Sequence, residues 1–272
     1  MHPVFFNIGG LTIHWYGVFM ALAFLSALII WTLVGRREGR DAQFSSDLLF
    51  LVMILGIVGA RTAYVLSNAS VYKEHPLSVF FLWQGGLIYY GGLIGGILAV
   101  LLFARLRRIP GLDLLDFAMT ALPVSHALGR IGCFLNGCCF GDICKAGPSV
   151  RFPSGSDPWH RHVDLGHISV TAHESLAVYP VQLYEAAVNV VIFAVLLRIY
   201  RKRKRYGMVT AVYLLTYPLC RLLFENLRGT HRVMWGALSS AQGISIGLMA
   251  VGAILLVYIL RRPPISTTAS AA

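Results

Sequence analysis

Charge is what this chain has least of. Asp, Glu, Lys and Arg make up 13% of its 272 residues, against about 25% in an ordinary soluble domain. Only 12 residues are acidic against 23 basic. So little charge cannot cover a water-exposed surface, which excludes both a soluble globular enzyme and a disordered acidic chain. The five cysteines contain no C-x-x-C pair, which removes the usual zinc spacing and the thioredoxin-type redox motif. Met1 to Ile13 has no basic start and no long apolar core before a small-residue cleavage site, so the first apolar segment is expected to be retained. No internal self-similarity is visible, although many transporters are built from two repeated halves.

What fills the space is apolar. Hydrophobic residues account for 57% of the chain, and they gather in runs near Val18 to Val34, Leu48 to Leu66, Leu87 to Ala104, Leu114 to Leu128, Val181 to Leu197, Met208 to Phe224 and Ile244 to Leu260. Each is close to the ~20 residues that cross ~30 Å of hydrocarbon, the fourth being short enough for a tilted or partial span. The expected fold is all-α, a polytopic membrane bundle of about seven helices. Residues 1–262 form the membrane domain, including a head loop over 141–179, and residues 263–272 form a disordered tail.

The basic residues orient the spans. They cluster at Arg36-Arg37 with Arg40, at Arg105 with Arg107-Arg108, from Arg198 to Arg205, and at Arg261-Arg262. These clusters follow spans one, three, five and seven, so the positive-inside rule makes those loops cytoplasmic, the N-terminus external and the C-terminus cytoplasmic. The formal charge of +11 is then spent on topology and anionic headgroups, and no nucleic-acid partner is expected.

Two arginines lie where hydrocarbon should be. Arg130 sits in Leu128-Gly129-Arg130-Ile131-Gly132 and Arg221 in Leu219-Cys220-Arg221-Leu222-Leu223. Arg cannot shed its charge, and at membrane depth it costs at least ~2.5 kcal/mol unless it pairs or faces a wet cavity. Glu225 lies one helical turn from Arg221 and can lock it structurally. No acid lies within a turn of Arg130, so an anionic ligand is the sharper reading there.

Three other segments carry information. Residues 141–179 hold His160, His162, His167 and His173 among Pro, Gly, Ser and Asp, the composition of a solvated connector or of a small head over a site. Cys133, Cys138, Cys139 and Cys144 are spaced C-x4-C-C-x4-C. That spacing argues for a disulfide or for packed thiols rather than for a metal site, and no metal or cofactor is expected. From Gly85 to Gly96 the chain is too rich in glycine for a plain lipid-facing helix. Gly91 and Gly95 suit close helix packing, and the stretch before Tyr89-Tyr90 suits a broken segment lining a cavity.

Taken in order, several of these motifs resemble the bacterial prolipoprotein diacylglyceryl transferases. They are His14-Trp15-Tyr16-Gly17; Gly59-Ala60-Arg61 with Tyr64; Tyr90-Gly91-Gly92-Leu93-Ile94-Gly95; Gly129 to Gly137; Tyr179-Pro180-Val181-Gln182-Leu183-Tyr184-Glu185; and Arg221 to Glu225 with Arg228. The resemblance implies an inner-membrane enzyme that moves the diacylglyceryl group of phosphatidylglycerol to the lipobox cysteine of a preprolipoprotein signal peptide. A thioether forms and glycerol phosphate leaves, near the periplasmic face, as the first step of lipoprotein maturation. It further implies catalytic roles for Arg130, Arg221, Tyr90 and Glu225, and contacts to substrate or neighbouring membrane lipid from Tyr16, Arg61, Tyr64, Gly91, Gly92, Asn136, Glu185, Tyr217 and Arg228. Tyr90 stands where the family commonly has histidine, Tyr179 replaces a histidine before proline, and Cys133 and Cys138 replace Asn and Glu. The catalytic base therefore stays open between Tyr90, Glu225 and water acting on an already acidic thiol. The alternative function is a membrane transporter or channel for an anionic solute, and a redox protein built on the cysteines is a third.

Overall fold

A computed structural model describes residues 4–9, 11–82, 85–228, 233–235 and 238–264. The tail from Ser266 to Ala272 and Gln84 of the glycine-rich stretch lie outside the described residues. The architecture is helical, with two short hairpins. After β1 (Val4–Ile8) and β2 (Leu11–His14), which pair antiparallel, come α1 (Trp15–Arg36), α2 (Ala42–Ser67), α3 (Ala69–Glu74) and a 3-10 turn over Pro76–Phe80. Then follow α4 (Tyr89–Leu106), α5 (Gly111–Met119), α6 (Leu122–Asn136), α7 (Asp157–Asp164), α8 (Val181–Lys202) and α9 (Met208–Glu225), the hairpin β3 (Val233–Trp235) and β4 (Leu238–Ser239), and α10 (Ser240–Leu260).

Among the described residues, six helices, α1, α2, α4, α8, α9 and α10, are long and apolar enough to cross a membrane. The chain is an integral membrane protein of the expected helical class. The fourth expected span differs in detail: the apolar run is broken at Thr120 and Ala121 into α5 and α6, neither of which spans alone. Pro123 in the first turn of α6 gives the reason, since proline lacks the N–H that a continuing helix would need but fits a helix start. The long helices keep large apolar side chains outward, Phe50 at 64% and Ile254 at 70% exposure among them. In water such a surface would aggregate; against acyl chains it is the solvated face.

The chain divides into two compact units, residues 28–118 and residues 1–27 with 119–272. In the first, α2 and α4 lie backbone to backbone. A Cβ at Gly59 would run into the carbonyl oxygen of Gly91, one at Gly91 into that of Gly59, and one at Gly95 into that of Leu55. Without hydrophobic drive between helices in lipid, such close approach supplies the packing energy. At the other end of this unit Arg40 donates to Asp113 at 2.7 Å and stacks over Phe117 at 4.6 Å, so its buried charge is met.

In the second unit α6 packs on α8, and α9 packs on both α8 and α10. The start of α1 joins α6 through Ser125, whose hydroxyl donates to the Ala23 carbonyl at 2.9 Å, and through Gly132, where a Cβ would stand 3.0 Å from Phe19 Cβ. Residues 141–179 are packed against one another rather than a loose connector. Phe140, Phe152 and Val178 form their buried core, Trp159 donates to the Ala172 carbonyl at 2.7 Å, and isolated bridges join residues 143 and 150 to 178 and 153 to 174.

Candidate active site

The second unit collects its charges at one place. Arg130 comes from the last turns of α6, Glu185 from the second turn of α8, Arg221 and Glu225 from the end of α9, and Arg228 from the segment that follows. Arg130 Nε lies 2.5 Å from Glu185 Oε2, a carboxylate whose side chain is 3% exposed. The other oxygen of Glu185 is 3.7 Å from Arg221 Nη1 and 3.6 Å from Arg228 Nη1. Glu225 reaches Arg221 Nη1 at 2.6 Å and Arg228 Nε at 4.0 Å, and it accepts a hydrogen bond from the Ser239 hydroxyl at 2.9 Å. Glu185 thus holds three guanidinium groups together, and Glu225 braces two of them. Removing either carboxylate would leave buried positive charges facing each other, a cost of several kcal/mol in a low dielectric.

The local turn explains the convergence. Gly137 adopts a left-handed conformation (φ +79) and ends α6, after which Gly141 pairs with the Tyr179 carbonyl so closely that a Cβ there would strike it. Asp142 N then donates to the Leu227 carbonyl at 2.8 Å, and Gln182 Nε2 donates to the Cys138 carbonyl at 2.8 Å. The end of α6, the start of α8 and the exit of α9 are tied into one corner by backbone bonds.

Nη1 and Nη2 of Arg130 and Nε and Nη2 of Arg221 make no hydrogen bond to the described residues, and both side chains keep about 15% of their surface open (15% and 16%). These are planar donor edges held in place by ion pairs on their other nitrogens. A bound oxyanion is what such edges accept, because the fork matches two oxygens at once.

Several residues complete the corner. His126, one turn before Arg130 on α6, accepts from Arg130 Nε through its Nε2 at 3.2 Å and lies 3.5 Å from the Tyr217 hydroxyl, with rings 4.8 Å apart. Accepting from a guanidinium requires Nε2 without a proton. His126 was absent from the expected site, although the i, i+4 spacing to Arg130 was there to read. Tyr16, at the start of α1, comes to the same corner through Gly132, where a Cβ would be 3.5 Å from Tyr16 Cα. Asn136 is the last residue of α6, directly before the left-handed Gly137. Hydrogen bonds from Cys133 and Cys138 draw the Cys139 thiol well below the usual range despite burial, helped by the positive charges of Arg228 and Arg130. All five cysteines are free thiols, so the disulfide that the sequence offered as one reading is not formed in this structure.

The remaining expected residues, Arg61, Tyr64, Tyr90, Gly91 and Gly92, belong to the other compact unit. All five N–H directions of Arg61 go to backbone carbonyls, of Val79, Gly85, Gly86, Ser78 and Phe81, at 2.7 to 3.4 Å. Its charge ties down the non-helical stretch before α4. Tyr64 lines that stretch, since a Cβ on Gly86 would enter its ring. Gly91 and Gly92 face Gly59 and Gly56 across the packed helices. Tyr90 sits in the first turn of α4, 41% exposed, with its ring against Tyr89 at 5.6 Å.

Residues 3–258 match the family described as prolipoprotein diacylglyceryl transferase. The chain belongs to this family. Relatives named phosphatidylglycerol--prolipoprotein diacylglyceryl transferase agree along nearly the whole length. That of Synechocystis sp. is 32% identical over 268 residues, covering 96% of this chain and 90% of the relative. That of Xanthomonas campestris pv. campestris is 34% identical over 284 residues, covering 99% and 95%.

Proposed function

We propose that this chain transfers the diacylglyceryl group of phosphatidylglycerol to the lipobox cysteine of prolipoproteins, with the arginine corner as its active site. The sulfur of the cysteine attacks the glycerol carbon that bears the phosphate. The C–S bond forms as the C–O bond breaks, glycerol phosphate departs with the electron pair, and the thiol proton passes to a base or to water. Charge accumulates on phosphate oxygens in the transition state, so preorganised donors there are the main catalytic contribution.

The observation that carries this reading is the pair of donor edges on Arg130 and Arg221, fixed by Glu185 and Glu225 and unused by the protein among its described residues. Arg130 binds the phosphate of the lipid. Arg221, oriented by Glu225, meets the leaving phosphate or the incoming thiolate. Glu185 sets the arginines, and Arg228 completes the charge around it. Tyr16, Asn136 and Tyr217 border the headgroup, with His126 holding Arg130 in register. Arg61, Tyr64, Gly91 and Gly92 act by shaping the segment before α4 rather than by spending their own polar atoms on lipid. Tyr90 packs or hydrogen-bonds there, and the acidity of a thiol near two guanidinium groups makes water a sufficient proton acceptor.

Residues 1–262 form the membrane domain, with 141–179 as its periplasmic head and 263–272 as a tail. The protein resides in the bacterial inner membrane, N-terminus outside and C-terminus cytoplasmic, with the corner near the periplasmic face, where surrounding lipids deliver substrate and accept product. No nucleic acid is involved, because the basic loops meet anionic headgroups. The test is incubation of the purified protein with phosphatidylglycerol and a peptide carrying a lipobox cysteine. Lipidated peptide and free glycerol phosphate in equal amounts are expected. Solute flux through proteoliposomes with no lipidated product would instead favour an anion transporter.

A further inference from the structure

The three sulfurs at the end of α6 are not explained by phosphate chemistry. Cys133, Cys138 and Cys139 place their Sγ atoms within 4.8 Å of one another. The backbone is bent to achieve this. Gly137 turns left-handed at the helix end, and Cys139 itself holds φ +61, a left-handed value shared by only one other non-glycine among the described residues. Such a conformation costs on the order of 1–3 kcal/mol and persists where the surroundings impose it. Cys138 Sγ is directed at the Cys133 carbonyl (3.7 Å), and Gln182 holds the Cys138 carbonyl in turn, so the loop is pinned on both sides.

Packing alone needs no such convergence, and a disulfide would use two sulfurs at ~2.05 Å and strand the third. Three sulfurs around one point are the donor set of a soft cation. Thiolate ligands at ~2.3 Å from a tetrahedral zinc ion stand about 3.8 Å apart, so movements of about an ångström at most close the observed group onto a metal. The charge also balances. Among the described residues, three guanidinium groups face two carboxylates in the adjacent corner, leaving one positive unit, and three thiolates around a dication leave one negative unit.

We propose that Cys133, Cys138 and Cys139 form a binding site for a single thiophilic cation of the zinc class. Three protein ligands leave the fourth place to water or another small ligand, the open arrangement rather than the closed one. The site ties the helix that carries Arg130 to the loop before Gly141. The C-x4-C-C spacing hides it, because the pattern becomes a ligand set only through the two left-handed turns.

The test uses the full-length protein, purified in detergent under reducing conditions, loaded with Zn2+ and dialysed. About one equivalent of zinc is expected to remain, and Co2+ in its place should give the intense absorption of thiolate-to-cobalt charge transfer. Cys133→Ser, Cys138→Ser and Cys139→Ser should each lower retained metal about tenfold or more, while Cys144→Ser and Cys220→Ser keep it. Should the serine variants fold poorly, wild-type protein answers the same question: Zn2+ should shield Cys133, Cys138 and Cys139, and not Cys144, from alkylation mapped by mass spectrometry. Folded, reduced protein that retains neither metal overturns the proposal. So does a mass lower by two hydrogens that persists when reductant and Zn2+ are both supplied.

Discussion

At the scale of single residues, function depends on which polar atoms the fold has already used. Arg61 and Arg130 look alike in sequence, each a lone arginine within two residues of a glycine in an apolar run, yet one has all its donors on main-chain carbonyls and the other presents an open edge. Sequence cannot separate them, because the partners of Arg61 lie in a non-helical stretch whose path depends on two left-handed glycines, Gly85 and Gly86. Glu185 was legible as a site residue but not as the shared partner of three arginines, since helices remote in sequence bring them together. Tyr90 provides a sharp test. Tyr90→Phe keeps the ring and its contact with Tyr89, so the lipidation rate at saturating lipid should fall less than about tenfold, the ~1.4 kcal/mol of one modest hydrogen bond. A loss beyond about a hundredfold, typical of a positioned acid or base, would make its phenol the proton acceptor.

At the scale of elements, the long apolar helices were readable from hydropathy and length alone, and their ends from ordinary capping. Asp41 accepts from Phe44 N at the start of α2, and Ser239 with Gln242 forms a capping box on α10. The break between α5 and α6 was hidden by unbroken hydrophobicity, with Pro123 its only mark. The glycine pairing of α2 and α4 leads to a stability prediction: Gly91→Val forces side-chain atoms against the Gly59 carbonyl and should cost about 1–3 kcal/mol, read as a lower unfolding temperature in detergent. Gly96→Val, where the nearest atom is Val52 Cγ1 at 3.9 Å, should change it far less. The head predicts a pH response. His162 is held below its ordinary value by burial, with the charges of His167 and Arg161 adding to it, and its Nδ1 accepts from Leu176 N at 3.2 Å. A lowered histidine value means the unfolded head binds the proton more readily than the folded one. The stabilisation is therefore complete above about pH 6.5 and is lost as pH falls through the lowered folded value. Hydrogen exchange at the Leu176 amide, corrected for its intrinsic rate, should lose protection over that acid range, and protection that does not change with pH would remove His162 from the head's stability.

At the scale of the whole molecule, the proposed function links topology to chemistry, since it requires cytoplasmic basic loops and an active site near the periplasmic face. A reporter fused after Arg205 should be active only in the cytoplasm and one inserted near Gly155 only outside. Reversal of either would place the corner away from the compartment in which prolipoproteins present their cysteines. The overall class was legible because composition excluded a soluble fold and the family-like motifs follow one another from His14 to Arg228, within the matched residues 3–258. The position of the site was legible only in part, since the convergence of α6, α8 and α9 depends on backbone bonds at Gly141 and Asp142 and on the Gln182 side chain, none of which any periodicity records.

The most direct measurement compares wild type, Arg130→Lys and Arg130→Ala in the peptide lipidation assay, with membrane insertion checked for each. Lysine keeps the charge but not the two-pronged edge, so both variants should lose on the order of 10²-fold or more, with lysine recovering only a small part. Wild-type rates in Arg130→Lys would contradict the claim that a fixed guanidinium edge binds the phosphate.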